Sequence, residues 1–183
     1  MLRKIQLVVT AVALGVLTAV APAAATGDET LFGRQAASTA ELQAQVDRQL
    51  EVAPGGTQVS ANEVSYDGGR FVVTFAEPGV SALGSPDCPS GWFCFYEYTG
   101  FGYPRGKLSD PGWQDLGAYG WHDRTASVHN NTGTAVDFDN HTVGGHENDV
   151  YLFCVSAWSS DSDVSPHRDR ADHVYRYSSF VTC

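Results

Sequence analysis

Histidine and carboxylate side chains are the groups in this sequence that could perform acid–base chemistry or hold a metal ion. Six histidines are present, but none forms an H-E-x-x-H pair, because His146-Glu147 is followed by Asn148-Asp149-Val150. That pair places two imidazoles on one helical face for zinc. The nucleophile motif G-x-S-x-G is also missing from the sequence. We therefore predict surface or corner histidines, although Glu97 with Asp110 or Asp115 leaves a carboxylate hydrolase open.

The cysteines form an even set, which suits disulfide bonds: Cys88, Cys94, Cys154 and Cys183. Zinc modules usually contain a C-x2-C pair, and this sequence has none. Three pairings are open. We favour Cys88 with Cys94, which closes a short turn, and Cys154 with Cys183, which ties the last residue to a strand.

The composition excludes several classes of protein. The chain has 183 residues, with 21 acidic and 11 basic side chains and a formal net charge of −10, so nucleic acid is not an expected partner. The hydrophobic content of 43% is too high for a disordered chain. The 19 Gly, 8 Tyr and 9 Phe favour turns and aromatic strands over helices, and a mainly β fold is predicted.

The first 25 residues have the pattern of a secretory signal peptide. Arg3 and Lys4 precede the apolar run 5–20, and an alanine-rich stretch comes next at 21–25. No later segment approaches the length of a membrane span. We expect a secreted, extracellular monomer that has no membrane association once processed, in a compartment where disulfides form.

A helix and a hairpin are predicted after a flexible leader at 26–37. Ser38 lies three residues before Glu41, the spacing of a capping box, and an apolar stripe continues at Leu42, Val46 and Leu50. Alternating residues on both sides of Asp67-Gly68-Gly69 predict a β-hairpin.

The chain therefore divides into an appendage and a main domain. Residues 38–77 are too few to bury a core of their own, so they either pack on the main domain or act as a pro-region. Residues 78–87, rich in Gly, Ser and Pro, are predicted as a linker, and residues 88–183 as the main domain.

The main domain contains an internal repeat. Forty-two residues separate the members of one set: Tyr96, Glu97 and Phe101 recur as Phe138, Asp139 and Val143, with Gly145 two residues later. Forty-six residues separate the members of the other: Asp123, Arg124 and Val128 recur as Asp169, Arg170 and Val174. Two similar four-stranded units are predicted.

In each unit an aromatic residue would pack over a hairpin turn, and the apolar residue five positions later would enter the core. A serine about thirty residues on would hydrogen-bond back to the hairpin. Ser127 has this position in the first unit, and His173 has the matching position in the second.

These residues resemble the Greek key of the βγ-crystallins, whose hairpin signature is aromatic-acid-x-x-x-aromatic-x-Gly. The resemblance implies a sandwich of two Greek-key motifs preceded by the helix and hairpin. It also implies structural roles for the residues at the signature positions, which are Tyr96, Glu97, Phe101, Phe138, Asp139 and Gly145.

Two segments are more specific: Cys88-Pro-Ser-Gly-Trp-Phe-Cys94 with Phe95-Tyr96-Glu97, and Trp121-His-Asp-Arg-Thr-Ala-Ser-Val-His-Asn-Asn-Thr132. They resemble the secreted streptomycete metalloproteinase inhibitor family over residues 88–145. Members of that family are single βγ-crystallin-type domains with two disulfides that block zinc peptidases. The resemblance implies a secreted inhibitor without enzymatic activity, whose partner is a metallopeptidase.

The same resemblance implies a reactive segment in a disulfide-anchored loop. The single Cys-Val peptide of this sequence is Cys154-Val155, adjoining Ser156-Ala157-Trp158. The alternative is that 151–155 is a core strand, in which case the contact surface moves to 159–167.

A calcium-binding or glycan-binding module without inhibitory activity is the alternative function. The calcium pattern of the fold requires acids and hydroxyls beside the corner serine, and here it retains Asp123 and Ser127. Glycan binding would use exposed faces of the aromatic residues, which include four tryptophans. Apart from calcium, no cofactor is expected.

Overall fold

The computed structural model describes residues 35–80, 84–143 and 146–183. The predicted signal peptide, residues 26–34 of the predicted leader and Gly145 lie outside these ranges. The described elements are α1 (Thr39–Val52), β1 (Thr57–Gln58), β2 (Glu63–Tyr66), β3 (Phe71–Thr74), β4 (Phe93–Tyr98), β5 (Gly102–Leu108), β6 (Gly112–Asp115), β7 (Ser127–Asn130), β8 (Val136–Asn140), β9 (Val150–Val155), β10 (Ser159–Asp161) and β11 (His173–Arg176).

The described strands form two antiparallel sheets. The seven-stranded sheet has the order β1-β2-β3-β5-β4-β7-β10, and the four-stranded sheet has the order β6-β11-β8-β9. Strands β4 to β7 form one motif and β8 to β11 the other. Each motif gives three strands to one sheet and its third strand to the opposite sheet. This exchange is a pair of interlocked Greek keys, so the predicted mainly β, βγ-crystallin-like fold is confirmed.

The helix α1 begins at the predicted cap. Ser38 Oγ accepts a hydrogen bond from the Glu41 amide at 3.2 Å, and the Glu41 carboxylate accepts one from the Ala37 amide at 2.8 Å. These bonds satisfy amides at the helix start that have no partner within the helix. Leu42 and Val46 face the core. At 14 residues α1 is too short to span a bilayer, and no other helix of the described ranges has the length and apolar character to do so.

The helix and the first hairpin are integrated into the main domain. Strand β3 pairs with β5, with Phe71 opposite Leu108. The Phe71 ring stacks on Tyr119 at 4.0 Å between centroids. Gln49 of α1 donates a hydrogen bond to the Tyr119 carbonyl at 2.8 Å. Through these contacts α1 and the β2–β3 hairpin share one core with the two Greek keys.

Phe95 lies at the centre of the shared core. Its ring contacts Phe71 of the hairpin at 5.9 Å, Trp121 at 5.2 Å and Phe138 of the opposite sheet at 6.4 Å between centroids. Gly106 lies opposite it on β5, and a Cβ there would come within 2.2 Å of the Phe95 ring. A glycine on the neighbouring strand thus makes room for this ring.

Candidate functional site

The first hairpin of the main domain has the predicted corner. Tyr96 packs edge-on against Phe101, with ring centroids 5.5 Å apart. The buried Ser127 hydroxyl donates to the Tyr98 carbonyl at 2.6 Å and accepts from the Phe101 amide at 3.1 Å. This one side chain therefore fastens both ends of the hairpin turn.

Glu97 forms an ion pair at the same corner. The Arg124 Nε donates to the Glu97 carboxylate at 3.0 Å, and both side chains are mostly buried. The guanidinium also lies 4.4 Å from the ring centroid of the fully buried Trp121. This pairing gives Glu97 a structural role and leaves no observation that favours a carboxylate hydrolase.

In the second hairpin, the observed strand pairing differs from the predicted alignment of the two motifs by one residue. Val128 pairs with Phe95 in one sheet, and Val174 pairs with Phe138 in the other. Phe138 is therefore the equivalent of Phe95, a core residue, and the equivalent of Tyr96 is Asp139. The predicted corner role of Phe138 and Asp139 is wrong, because successive strand residues face opposite sides of a sheet.

The same shift explains the outcome for Val143. This residue was predicted to enter the core, but its side chain is 97% exposed. With Phe138 in the core, the place that Tyr96 has in the first hairpin is taken by Asp139, which has no ring to cover a turn.

The second part of the predicted repeat, the loops at Asp123 and Asp169, has the same backbone conformation in both motifs. Asp123 and Asp169 both have a φ of 53°, in the left-handed region. The Asp123 amide donates to the Ala171 carbonyl at 3.2 Å, and the Asp169 amide donates to the Thr125 carbonyl at 3.0 Å. The two loops thus hold each other by equivalent bonds.

Of the two predicted calcium ligands, Asp123 is exposed and Ser127 is buried. Partial burial and the nearby Asp172 carboxylate raise the pKa of Asp123. The Ser127 hydroxyl already makes two hydrogen bonds within the hairpin. Calcium binding at this corner stays a prediction.

Two disulfides are present, and they join the pairs that the sequence analysis favoured. Cys88 is bonded to Cys94, and Cys154 to Cys183. The second bond ties the last residue of the chain to β9.

The predicted reactive peptide lies in a strand and does not form a loop. Cys154 and Val155 end β9, and the Val155 side chain is 6% exposed within the hydrophobic core. The alternative prediction, a core strand at 151–155, describes the observed structure. Because Val155 is buried, the accessible surface nearest the disulfide is the segment 156–167, which we call the exposed segment.

The exposed segment is held in place by backbone contacts to the rest of the domain. The Ser162 carbonyl accepts from the Gly100 amide at 2.8 Å, and the Val164 amide donates to the Ala126 carbonyl at 3.1 Å. The buried Val164 side chain anchors its centre. Such a segment loses little conformational entropy when it binds a partner.

An ion pair adds to this rigidity. Arg168, just beyond the exposed segment, binds both carboxylate oxygens of Asp163. Hydrogen bonds from Arg168 and Ser165 hold the pKa of Asp163 well below its usual range. A carboxyl with a lowered pKa stabilises the fold above its unfolded pKa and loses that contribution as the pH falls. The pair is therefore intact at neutral pH.

Trp158 is the most prominent side chain of the exposed segment. It is 63% exposed at the turn between β9 and β10. Its φ of 58° is rare for a bulky residue, and its amide donates to the Thr132 carbonyl at 3.1 Å. An exposed aromatic residue in a strained, fixed turn is a candidate contact residue.

A cluster of histidines and aspartates that was not predicted from the sequence lies beside β6 and β11. His173 has the position that matches Ser127, as predicted, and its side chain is 3% exposed. It lies within ion-pair distance of Asp115 and Asp149. The residues of this cluster are separated by up to 58 positions in the chain, so no local motif could reveal it.

The architecture places the main domain in the class of double Greek-key sandwiches. One solved structure with similarity to this chain is a mutant βγ-crystallin domain from Clostridium beijerinckii, with 21% identity and a TM-score of 0.38. The match covers 48% of this chain and 99% of that chain. Spherulin 3a from Physarum polycephalum shows 16% identity and a TM-score of 0.40, covering 55% of this chain and 95% of that chain. No curated protein matches the chain in sequence.

Residues 82–146 match the sequence model of peptidase inhibitor family I36. The match confirms the family resemblance of the Cys88 and Trp121 segments, and over this stretch the chain is similar to that family. Proteins of this kind bind a peptidase and do not catalyse a reaction themselves. The prediction of a non-enzymatic inhibitor is thereby confirmed, and a peptidase is its implied partner.

Proposed function

We propose that this protein is secreted and, as a monomer, inhibits a metallopeptidase. The observation that carries the proposal is the match of residues 82–146 to a peptidase inhibitor family. The metallopeptidase target comes from the resemblance of the Cys88 and Trp121 segments to the streptomycete metalloproteinase inhibitors. Two disulfides and the signal-like pattern of residues 1–25 support export.

The exposed segment is the surface that we propose enters the peptidase cleft. An inhibitor of this type needs no catalytic group, but it needs a rigid segment that presents side chains without a large ordering cost. Backbone bonds, the buried Val164 and the Cys154–Cys183 disulfide supply that rigidity. Trp158 supplies an exposed aromatic anchor, the type of residue that often dominates binding energy.

Titration of a panel of peptidases tests the proposal. We expect the purified, disulfide-bonded protein to abolish the activity of a thermolysin-type zinc peptidase at a one-to-one ratio. Serine and cysteine peptidases at the same active-site concentration serve as controls and should keep their activity. Stoichiometric inhibition of a serine peptidase alone would leave the inhibitor class intact and overturn the metallopeptidase target. Full activity across several zinc peptidases would overturn the same assignment.

A further inference from the structure

We propose that Asp115, His122 and His173 bind a divalent transition-metal ion, and that Zn²⁺ is the ion that suits them best. A carboxylate oxygen of Asp115 and a ring nitrogen of each histidine lie within 4.8 Å of one another. Imidazole and carboxylate are established zinc ligands, and three protein ligands with an open fourth position form a common site. This inference is independent of the proposed inhibition.

The spacing of the donor atoms suits a tetrahedral ion. Asp115 Oδ1 lies 2.9 Å from His122 Nε2 and 3.8 Å from His173 Nε2. Two ligands at about 2.0–2.1 Å from a tetrahedral ion are separated by roughly 3.4 Å, a value between the two observed distances. Asp115 and His122 are partly exposed, so small side-chain movements would complete the geometry.

Each histidine has a buried carboxylate at its other ring nitrogen. His173 Nδ1 hydrogen-bonds to Asp149, and His122 Nδ1 lies 3.6 Å from Asp172 Oδ1. The side chains of Asp149 and Asp172 are 6% and 8% exposed. At His173 the Asp149 carboxylate accepts the Nδ1 proton and leaves the Nε2 lone pair for a metal, as in many zinc sites.

One oxygen of the Asp172 carboxylate is buried next to His122 without a hydrogen bond from the described residues. Asp172 Oδ1 has no hydrogen-bond partner among the described residues, although the Asp172 side chain is more than nine-tenths buried. Such an atom is costly unless its charge is balanced nearby. A cation on the far side of the His122 ring would polarise that ring and strengthen its contact with Asp172.

The three ligands are placed by rigid elements. His173 and Asp115 lie directly opposite each other on the paired strands β11 and β6. Asp115 Oδ1 accepts from the Gly117 amide at 2.7 Å, which fixes the carboxylate. The His122 ring lies over Gly117, where a Cβ would come within 2.3 Å of His122 Nε2. The glycine at position 117 therefore makes room for the His122 imidazole.

A second trio, His141, Asp149 and His173, lies on the other side of the His173 ring. There the metal would need the lone pair of His173 Nδ1, the nitrogen that bonds to Asp149. Because Nδ1 acts as the donor in that bond, we assign the metal to the Nε2 side of the ring.

Metal titration of the untagged, chelator-treated, disulfide-bonded protein tests the site. We expect calorimetry to show one Zn²⁺ per chain, and Co²⁺ to give the visible absorption of a four-coordinate ion. His122→Asn should weaken Zn²⁺ binding by about tenfold or more, and Asp115→Asn by a similar factor. His146→Gln removes a 60% exposed histidine that packs on Trp113 beside the cluster but is not one of the three ligands, so it is the matched control and should keep wild-type affinity.

Three results would overturn the assignment. The wild-type protein could show neither heat of binding nor cobalt absorption. His122→Asn and Asp115→Asn, each shown to be folded by its circular dichroism spectrum, could both bind as tightly as the wild type. His141→Asn could abolish binding while His122→Asn leaves it unchanged, which would place the ion in the other trio.

Discussion

Replacing Phe95 with alanine is expected to lower the free energy of unfolding by about 3–5 kcal/mol. The ring is fully buried and contacts Phe71, Trp121 and Phe138, so its removal opens a cavity between both sheets and the first hairpin. The neighbouring chain has little freedom to fill this space, because Phe95 is paired on both sides, with Gly106 and Val128. Chemical denaturation followed by circular dichroism would measure the loss.

Phe180→Ala is the matched control for this prediction. That side chain is 73% exposed, so its truncation should change the stability by no more than about 0.5 kcal/mol. Equal stability of the Phe95 and Phe180 variants would contradict a core shared by the hairpin and both sheets. A separate, earlier unfolding transition for the hairpin in the wild-type protein would contradict it as well.

Replacing Trp158 with alanine is expected to weaken inhibition of a zinc peptidase by at least about 2 kcal/mol, a factor of roughly 30 in the inhibition constant. The side chain is 63% exposed and its backbone is fixed by the bond to Thr132. An aromatic anchor that is already ordered contributes its contact area at low entropic cost. The inhibition constant and the thermal unfolding temperature should be measured on the same sample.

Tyr175→Ala is the control for Trp158→Ala. Tyr175 is a 40% exposed aromatic residue of β11 on the four-stranded sheet, outside the exposed segment. Its truncation should leave the inhibition constant unchanged. If Tyr175→Ala weakens inhibition and Trp158→Ala does not, the contact surface lies on the four-stranded sheet and the exposed segment has another role.

The sequence was sufficient to predict the first helix and the paired loops of the Greek keys because their signals are local. The capping box at Ser38 and Glu41 predicts the helix start that is observed. The Asp123 and Asp169 loops share a backbone conformation that a short repeated motif specifies, and they appear at matching positions of the two motifs. Ser127 was recognised for the same reason, since the repeat fixes its distance from the hairpin it fastens.

What the sequence could not supply depends on register and on distant contacts. Matching Tyr96 with Phe138 by ring type gave an offset of 42, whereas strand pairing aligns Phe95 with Phe138. A shift of one residue exchanges the core face of a strand for its outer face. Val155 is apolar in either a loop or a strand, so its type alone could not decide between them. The histidine cluster forms because β6 crosses to the sheet of the second motif and pairs there with β11. The spacing of residues along the chain does not reveal this crossing.

The most direct test of the central claim is amide hydrogen exchange of this protein, free and in complex with a zinc peptidase. We expect added protection in 156–167, centred on Trp158, with little change on β6 and β11. Stable inhibition with protection confined to other surfaces, or no complex with any zinc peptidase, would contradict inhibition through the exposed segment.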